Sequence, residues 1–225
     1  MEKILNLLNL GKYDYDKALE IQYQLLKRRQ DGEIHDTLIL VEHPAVITLG
    51  KNASSENIIA SERELNKLGI QTFETNRGGD VTYHGEGQIV GYPIVNLIEN
   101  KIKVRSFVEK LEEVFVQVLK EYNLEASGSS QDIGVWIGSE KITAIGLAVK
   151  RGVTMHGFAF NVNTNLDHFQ YIIPCGIRDK GVTTLEKLVG RKVDFNYMNR
   201  RVLEEFVRAY DYEVVREMSL KDLTV

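Results

Sequence analysis

Apolar and polar positions follow two rhythms along this chain, and the places where one rhythm gives way to the other mark its elements. Residues 1–10 are mostly apolar over the length of a strand, and Gly11 ends the run. Over residues 14–30 the spacing becomes helical. Ala18, Ile21 and Leu25 fall three or four apart, and Lys27, Arg28 and Arg29 sit at the C-terminal end, where the helix dipole favours cations. Asp31-Gly32 closes that helix. Residues 37–41, Thr-Leu-Ile-Leu-Val, form a continuous apolar run, as expected of a strand covered on both faces. Glu42-His43-Pro44 breaks it, and residues 46–49 resume extended chain before Gly50. Ser61 with Glu64 three residues later predicts a capped helix through Leu68. Residues 71–75 then lead as a strand into a glycine-rich stretch, and residues 88–97 leave it as another.

Further along, Phe107, Leu111, Val114, Phe115, Val118 and Tyr122 make one apolar stripe, so a helix is predicted over 106–122 with Ser106 and Glu109 as its capping box. Residues 126–131 read as a polar loop. Residues 133–137 and 141–149 read as strands joined in a hairpin at Gly138-Ser139-Glu140. A strand is expected over 153–162, irregular chain over 163–171, and a tight segment over 172–176. Thr183 or Thr184 caps a short helix to Val189. A helix over 196–210 carries Met198, Val202 and Phe206 on one face, and 212–216 is a last strand. No repeat, linker or low-complexity segment interrupts residues 1–225. The expected architecture is one α+β domain with a mostly β centre and helices packed on it.

Composition narrows the function classes. The chain has 225 residues, 43% apolar and 27% charged, enough to bury a core. Its 28 Lys and Arg against 32 Asp and Glu give a net charge of −4 without a dense basic run, which argues against nucleic acid as a partner. No apolar run approaches the roughly 18 residues of a membrane span, and the first residues lack a signal-peptide pattern, so a cytoplasmic protein without a membrane partner is expected. The single cysteine, Cys175, cannot form an intramolecular disulfide.

Two places carry candidate chemistry. The first is Arg77-Gly-Gly-Asp-Val-Thr-Tyr-His-Gly-Glu-Gly-Gln-Ile-Val-Gly-Tyr-Pro93, with five of the chain's 18 glycines in 17 residues. It reads either as two strands joined by turns or as a loop lining a substrate, where absent side chains let a ligand approach the backbone. The second is Pro174-Cys175-Gly176, outside any periodic apolar stripe, which points to a working thiol. A free thiol has a pKa of about 8.5 and needs a cation nearby to become a thiolate at neutrality. Lys141, Lys150, Arg151, Arg77, Arg178 and several histidines are the cations on offer. Lys141 is favoured because it opens the small apolar run Ile-Thr-Ala-Ile-Gly-Leu-Ala-Val, where a lysine is partly desolvated and can exchange protons. A solvated lysine after a hairpin turn is the plain alternative. No HxH or HExxH arrangement exists, so no metal is expected.

With these blocks assembled, the chain resembles the lipoyl(octanoyl)transferase family. The resemblance rests on the 77–93 stretch, on Gly134-Val-Trp-Ile-Gly-Ser-Glu-Lys-Ile-Thr-Ala-Ile-Gly146 continuing to Arg151-Gly-Val-Thr-Met-His-Gly-Phe-Ala-Phe-Asn-Val-Asn163, and on Ile173-Pro-Cys-Gly-Ile177 with Gly181-Val-Thr-Thr-Leu185. Glu42-His-Pro-Ala-Val-Ile-Thr-Leu-Gly50 adds a weaker fourth block. Glu86 and Ala45 depart from the proline common in the family. The resemblance implies a single α+β domain over 1–225, with a mixed, mainly antiparallel sheet and packed helices like those of biotin and lipoate protein ligases. It implies Cys175 as the nucleophile taking an octanoyl group from acyl carrier protein, and Lys141 as the residue that lowers the thiol's pKa. Substrate would lie against Arg77, Gly78, Gly79, Asp80, Val81, Thr82, Tyr83 and His84, against Ala144, Ile145 and Gly146, and against Gly157, Phe158 and Ala159. The acceptors it implies are lysines of lipoyl domains, in 2-oxoacid dehydrogenase E2 subunits and the glycine cleavage H protein, with no cofactor. An ATP-dependent lipoate–protein ligase and a non-catalytic module binding the same partners remain the alternatives.

Overall fold

The computed structural model describes residues 2–129, 131–174 and 180–223. In its larger sheet β1 (Ile4–Lys12), β2 (Asp36–Glu42), β6 (Gln88–Ile94), β10 (Val153–Asn161), β9 (Glu140–Lys150), β8 (Gly134–Ile137) and β7 (Ala126–Gly128) lie side by side in that order. β12 (Val214–Met218) lies outside β1, and the two-residue β11 (Gly181–Val182) runs beside β9. β1 is parallel to both its neighbours, β11 is parallel to β9, and the other pairs are antiparallel. A second sheet places β3 (Val46–Leu49) between parallel β4 (Gln71–Glu74) and antiparallel β5 (Val81–His84).

Side-chain alternation explains how the larger sheet is covered on both faces. Leu38 and Leu40 of β2, Ile89 of β6, and Phe158 and Phe160 of β10 join one core. α3 (Val104–Lys120) and α5 (Phe195–Ala209) close that core with Phe107, Leu111, Phe115, Val202 and Phe206. The residues in between, Ile39, Val41, Val90, Tyr92, Ile94 and Ala159, face the other side and meet Ala18, Ile21, Leu25 and Leu26 of α1 (Tyr15–Gln30). Each large apolar side chain so buried contributes about 1.5–3 kcal/mol. A third, smaller core under the second sheet gathers Ile47, Val81, Tyr83 and Ile172 with Leu65 of α2 (Glu62–Lys67). No helix among the described residues is long and apolar enough to cross a membrane.

Three expectations change. β1 runs through Gly11 to Lys12, and the register against β2 shifts there, so the glycine marks a bulge and not an end. The helix predicted from Ser106 begins at Val104 with Lys103 as an N-cap lacking a side-chain bond, and Glu109 bonds Arg105 one turn back, not the chain start. The polar loop after residue 125 contains β7, a strand by virtue of backbone pairing to β8 alone. The glycine-rich stretch does hold two strands joined by a turn, β5 and β6, and these belong to different sheets. Elsewhere the capping box of Ser61 and Glu64 is formed, and Thr184, not Thr183, caps α4 (Leu185–Val189).

Candidate active site

The step from one sheet to the other leaves a narrow cavity between them. Its walls are the loop before β5 with Arg77, Gly78, Gly79 and Asp80, then Val81, Thr82 and His84 of β5 itself. Opposite stand Lys141, Ala144, Ile145 and Gly146 of β9, and Gly157, Phe158 and Ala159 of β10. Three residues outside the expected set complete it: Tyr15 from the first turn of α1, Tyr92 from β6 and His156 from β10. Tyr83, expected on this wall, points the other way. Its hydroxyl pairs with His168 Nδ1 at 2.7 Å and its ring packs edge-on against Phe169 in the small core. The pleat of a strand sends Thr82 and His84 to one side and Tyr83 to the other. Cys175 lies outside the described residues, as does Arg178.

The Arg77 loop is fixed by its own chemistry. Gly78 N–H donates to Leu147 O at 2.9 Å, and a Cβ on Gly146 would stand 2.9 Å from Gly78 O, so bare backbone on both sides lets the loop lie on β9. Arg77 is buried, and its guanidinium donates to Thr48 O at 2.6 Å, to Thr48 Oγ1 and to Gly78 O. Having accepted from Arg77, the Thr48 hydroxyl is left to donate toward His84 Nε2, 3.5 Å away. His84 Nδ1–H donates to Gln88 Oε1 at 2.8 Å, because the amide nitrogen of Gln88 is spent on Tyr83 O and Asn161 Oδ1. His84 is therefore neutral, with its proton on Nδ1.

Two more histidines stand in the same layer. His43 donates from Nδ1 to Tyr13 O at 2.7 Å and accepts at Nε2 from the Tyr92 hydroxyl at 2.8 Å. His156 donates from Nε2 to Asn76 Oδ1 at 2.7 Å. Burial pushes His43 down to about 4, and His84 and His156 to about 3; the neighbouring charge of Arg77 adds to the effect on the last two. Burial likewise raises Tyr15 to about 12 and holds Tyr92 well above the usual tyrosine range. At neutral pH these side chains are uncharged, and the Arg77 guanidinium is a fixed positive charge beside them.

This has a consequence for stability. An unfolded histidine takes up a proton near pH 6.5, whereas these three stay neutral in the fold down to about 4 or about 3. Below pH 6.5 the unfolded chain binds more protons, so stability falls with pH, by up to about 1.4 kcal/mol per unit for each histidine. The urea midpoint is expected to drop steadily from pH 6.5 to 4. A midpoint constant across that window would mean that the histidines are charged in the folded protein.

Lys141 is buried at the other end of the cavity. Its Nζ donates to Ile133 O at 3.1 Å and stands 4.7 Å from the centre of the Trp136 ring. Room for its stem comes from Gly134, whose φ of +139° suits glycine and whose absent Cβ would sit 3.3 Å from Lys141 Cδ and Cε. The chain leading to Cys175 is fastened by Ile173 N–H to Asn57 O and by the bridge of Ile172 with Ile58. Beyond it, Lys180 pairs with Asp132 and stands 4.8 Å over the same Trp136 ring, and Val182 sits in register with Lys141. Arg77 and His84 were visible within one local motif. Tyr15 carried no signal, because an aromatic in the first turn of an amphipathic helix reads as core.

Known sequences and folds give this site its context. A family model for the lipoyl protein ligase A/B catalytic domain matches residues 14–207. An octanoyltransferase of Alkaliphilus metalliredigens (strain QYMF) is 58% identical over 212 residues, which is 94% of this chain and 97% of that one. Lipoate-protein ligase A bound with ATP has the same fold, with a TM-score of 0.78 at 20% identity over 99% of this chain and 91% of the other. Biotin protein ligase from Aquifex aeolicus, in complex with biotin and ATP, aligns with a TM-score of 0.57 at 15% identity, over 92% of this chain and 70% of that one. The expected ligase-like α+β fold is the one found.

Proposed function

The chain belongs to the lipoyl protein ligase A/B catalytic-domain family, and we propose that it is an octanoyltransferase working through a thioester on Cys175. The octanoyl group comes from acyl carrier protein and ends on a lysine amine of a lipoyl domain, in E2 subunits of 2-oxoacid dehydrogenases and in the glycine cleavage H protein, in the cytoplasm. One observation supports this reading above the others: the chain on the far side of Cys175 is held against Lys141, through Val182 in register and Lys180 on the shared Trp136 ring.

In the first half-reaction the Cys175 proton passes to Lys141, and the thiolate attacks the thioester carbonyl. The carrier's sulfur leaves and takes the proton back from Lys141. In the second, the lysine amine attacks the Cys175 thioester, gives its proton to Lys141, and Cys175 leaves as thiolate beside the new ammonium. Each half-reaction balances its proton through one base. The acyl chain lies along Gly78, Gly79, Ala144, Ile145 and Gly157, where small residues leave a slot, each buried methylene contributing about 0.8 kcal/mol. Ligases with this fold activate a free acid with ATP; a thioester donor needs no such step, and octanoyltransferases match this chain far more closely in sequence.

Incubation with octanoyl-acyl carrier protein and no ATP is expected to add one octanoyl mass to Cys175, removable by hydroxylamine, and to pass it to a lipoyl domain. The Cys175→Ser variant should do neither. Normal turnover by that variant, or transfer that requires ATP, Mg²⁺ and free octanoate, would overturn the thioester route.

A further inference from the structure

His156 is held in the cavity wall by both its backbone and its ring, and the proposed transfer gives it no role. Its backbone is in the left-handed region with φ of 56°, inside a strand otherwise buried throughout. For a non-glycine residue that conformation costs of order 1–3 kcal/mol and survives only where the surroundings impose it. They do so here: its N–H donates to Gln22 Oε1 of α1 at 2.9 Å, and its Nε2–H donates to Asn76 Oδ1 just before the Arg77 loop. One ring edge is thereby pinned. On the other, Nδ1 is buried and has no hydrogen-bond partner among the described residues.

Register places this ring along the cavity. His156 pairs with Leu147 on β9, six residues beyond Lys141 on the same strand. A bulge between Lys141 and Thr143 takes up one of those residues, so at about 3.3 Å for each remaining step the separation is roughly 17 Å. An extended lysine side chain spans roughly 6 Å and an eight-carbon zigzag roughly 9 Å by ordinary bond lengths, and the thioester linkage takes most of what remains. A chain whose carbonyl lies at Lys141 therefore ends at His156.

We propose that His156 is the end stop of the acyl slot and sets its preference for eight carbons. The proposal rests on the octanoyl-transfer reading and adds a residue for chain length. The pinned edge keeps the ring from swinging away from a longer chain, and the strained backbone holds it across the slot.

The decisive variant is His156→Gly, because glycine accepts the positive φ without strain while removing the ring. His156→Asn, which also tolerates this backbone, is the second variant should glycine loosen the strand. Acyl loading of Cys175 would be measured with octanoyl-, decanoyl- and dodecanoyl-carrier protein, as kcat/KM for each. Wild type is expected to favour octanoyl. In His156→Gly the decanoyl-to-octanoyl ratio should rise by roughly 15-fold, the value of two further buried methylenes at about 0.8 kcal/mol each. A residue that merely supported the fold would lower all three rates together and leave the ratio unchanged. An unchanged ratio in both variants, with octanoyl still loaded, overturns the end stop. Failure of wild type to load any chain overturns the transfer reading instead.

Discussion

Replacing Lys141 by methionine is expected to slow octanoyl transfer by about 10²- to 10⁴-fold, the usual cost of removing a general acid–base group. Methionine keeps the length and apolar contact of the stem beside Trp136 and removes only the ammonium that donates to Ile133 O. The loss should fall on kcat in both half-reactions, because the proposed route uses the same base in each. Cys175 should also react more slowly with iodoacetamide near neutral pH, since the role proposed for Lys141 is to favour its thiolate. Arginine separates the two jobs: Lys141→Arg retains the charge and cannot give up its proton. Thiol alkylation should then stay near the wild-type rate while transfer stays slow. Transfer by Lys141→Met within about threefold of wild type would remove Lys141 from the chemistry.

The second large effect is on stability and lies far from any chemistry. Asp36 is buried and accepts four bonds: from Arg29 Nε at 2.8 Å, from Asn96 N–H at 2.9 Å, from Asn100 Nδ2 at 2.8 Å and from the Tyr212 hydroxyl at 2.9 Å. These tie α1, β2, the turn after β6 and the approach to β12 at one point. Removing the carboxylate leaves the buried Arg29 guanidinium and three other donors without that partner. Truncating one side of a buried pair costs about 3–5 kcal/mol. Arg29 also pairs with Glu99, a half-exposed carboxylate, so the low end applies. Asp36→Ala is expected to lose about 3 kcal/mol, a Tm fall of roughly 6–12 °C for a chain of this size. A fall under 2 °C would show that water or Glu99 takes over the role.

Much of the scaffold could be read from the sequence where one side-chain period dominates. The stripe from Phe107 to Val118 and the unbroken run of residues 37–41 each describe a face that has to be covered, and both are covered as expected. What could not be read depended on the backbone or on distance along the chain. β7 is Ala-Ser-Gly, with no side chain to announce a strand, and exists because β8 offers it a ladder. Ser106 and Glu109 satisfy the pattern of a cap, yet Arg105 competes for Glu109 and the helix starts earlier. At the site, the Arg77 loop and its glycines were legible because the motif is local. Tyr15 comes from a helix whose pattern reads as core, whereas His43 and Tyr92 lie inside the marked 42–50 and 77–93 blocks, and only the fold brings the three together. Tyr83 was avoidable: period two along Val81–His84 already forbids it from sharing a face with His84.

Trp136 has so far served only as a surface against which two ammonium groups rest. It is also the one tryptophan in the chain. Its indole N–H is bonded to Asp132 O, and Lys141 and Lys180 stand within 5 Å of its ring centre. Light absorbed at the red edge of the protein spectrum is therefore emitted from a single position, beside Lys141. The chain carries its own optical gauge there, and charge or packing altered at that spot is readable in a stopped-flow fluorimeter without a label.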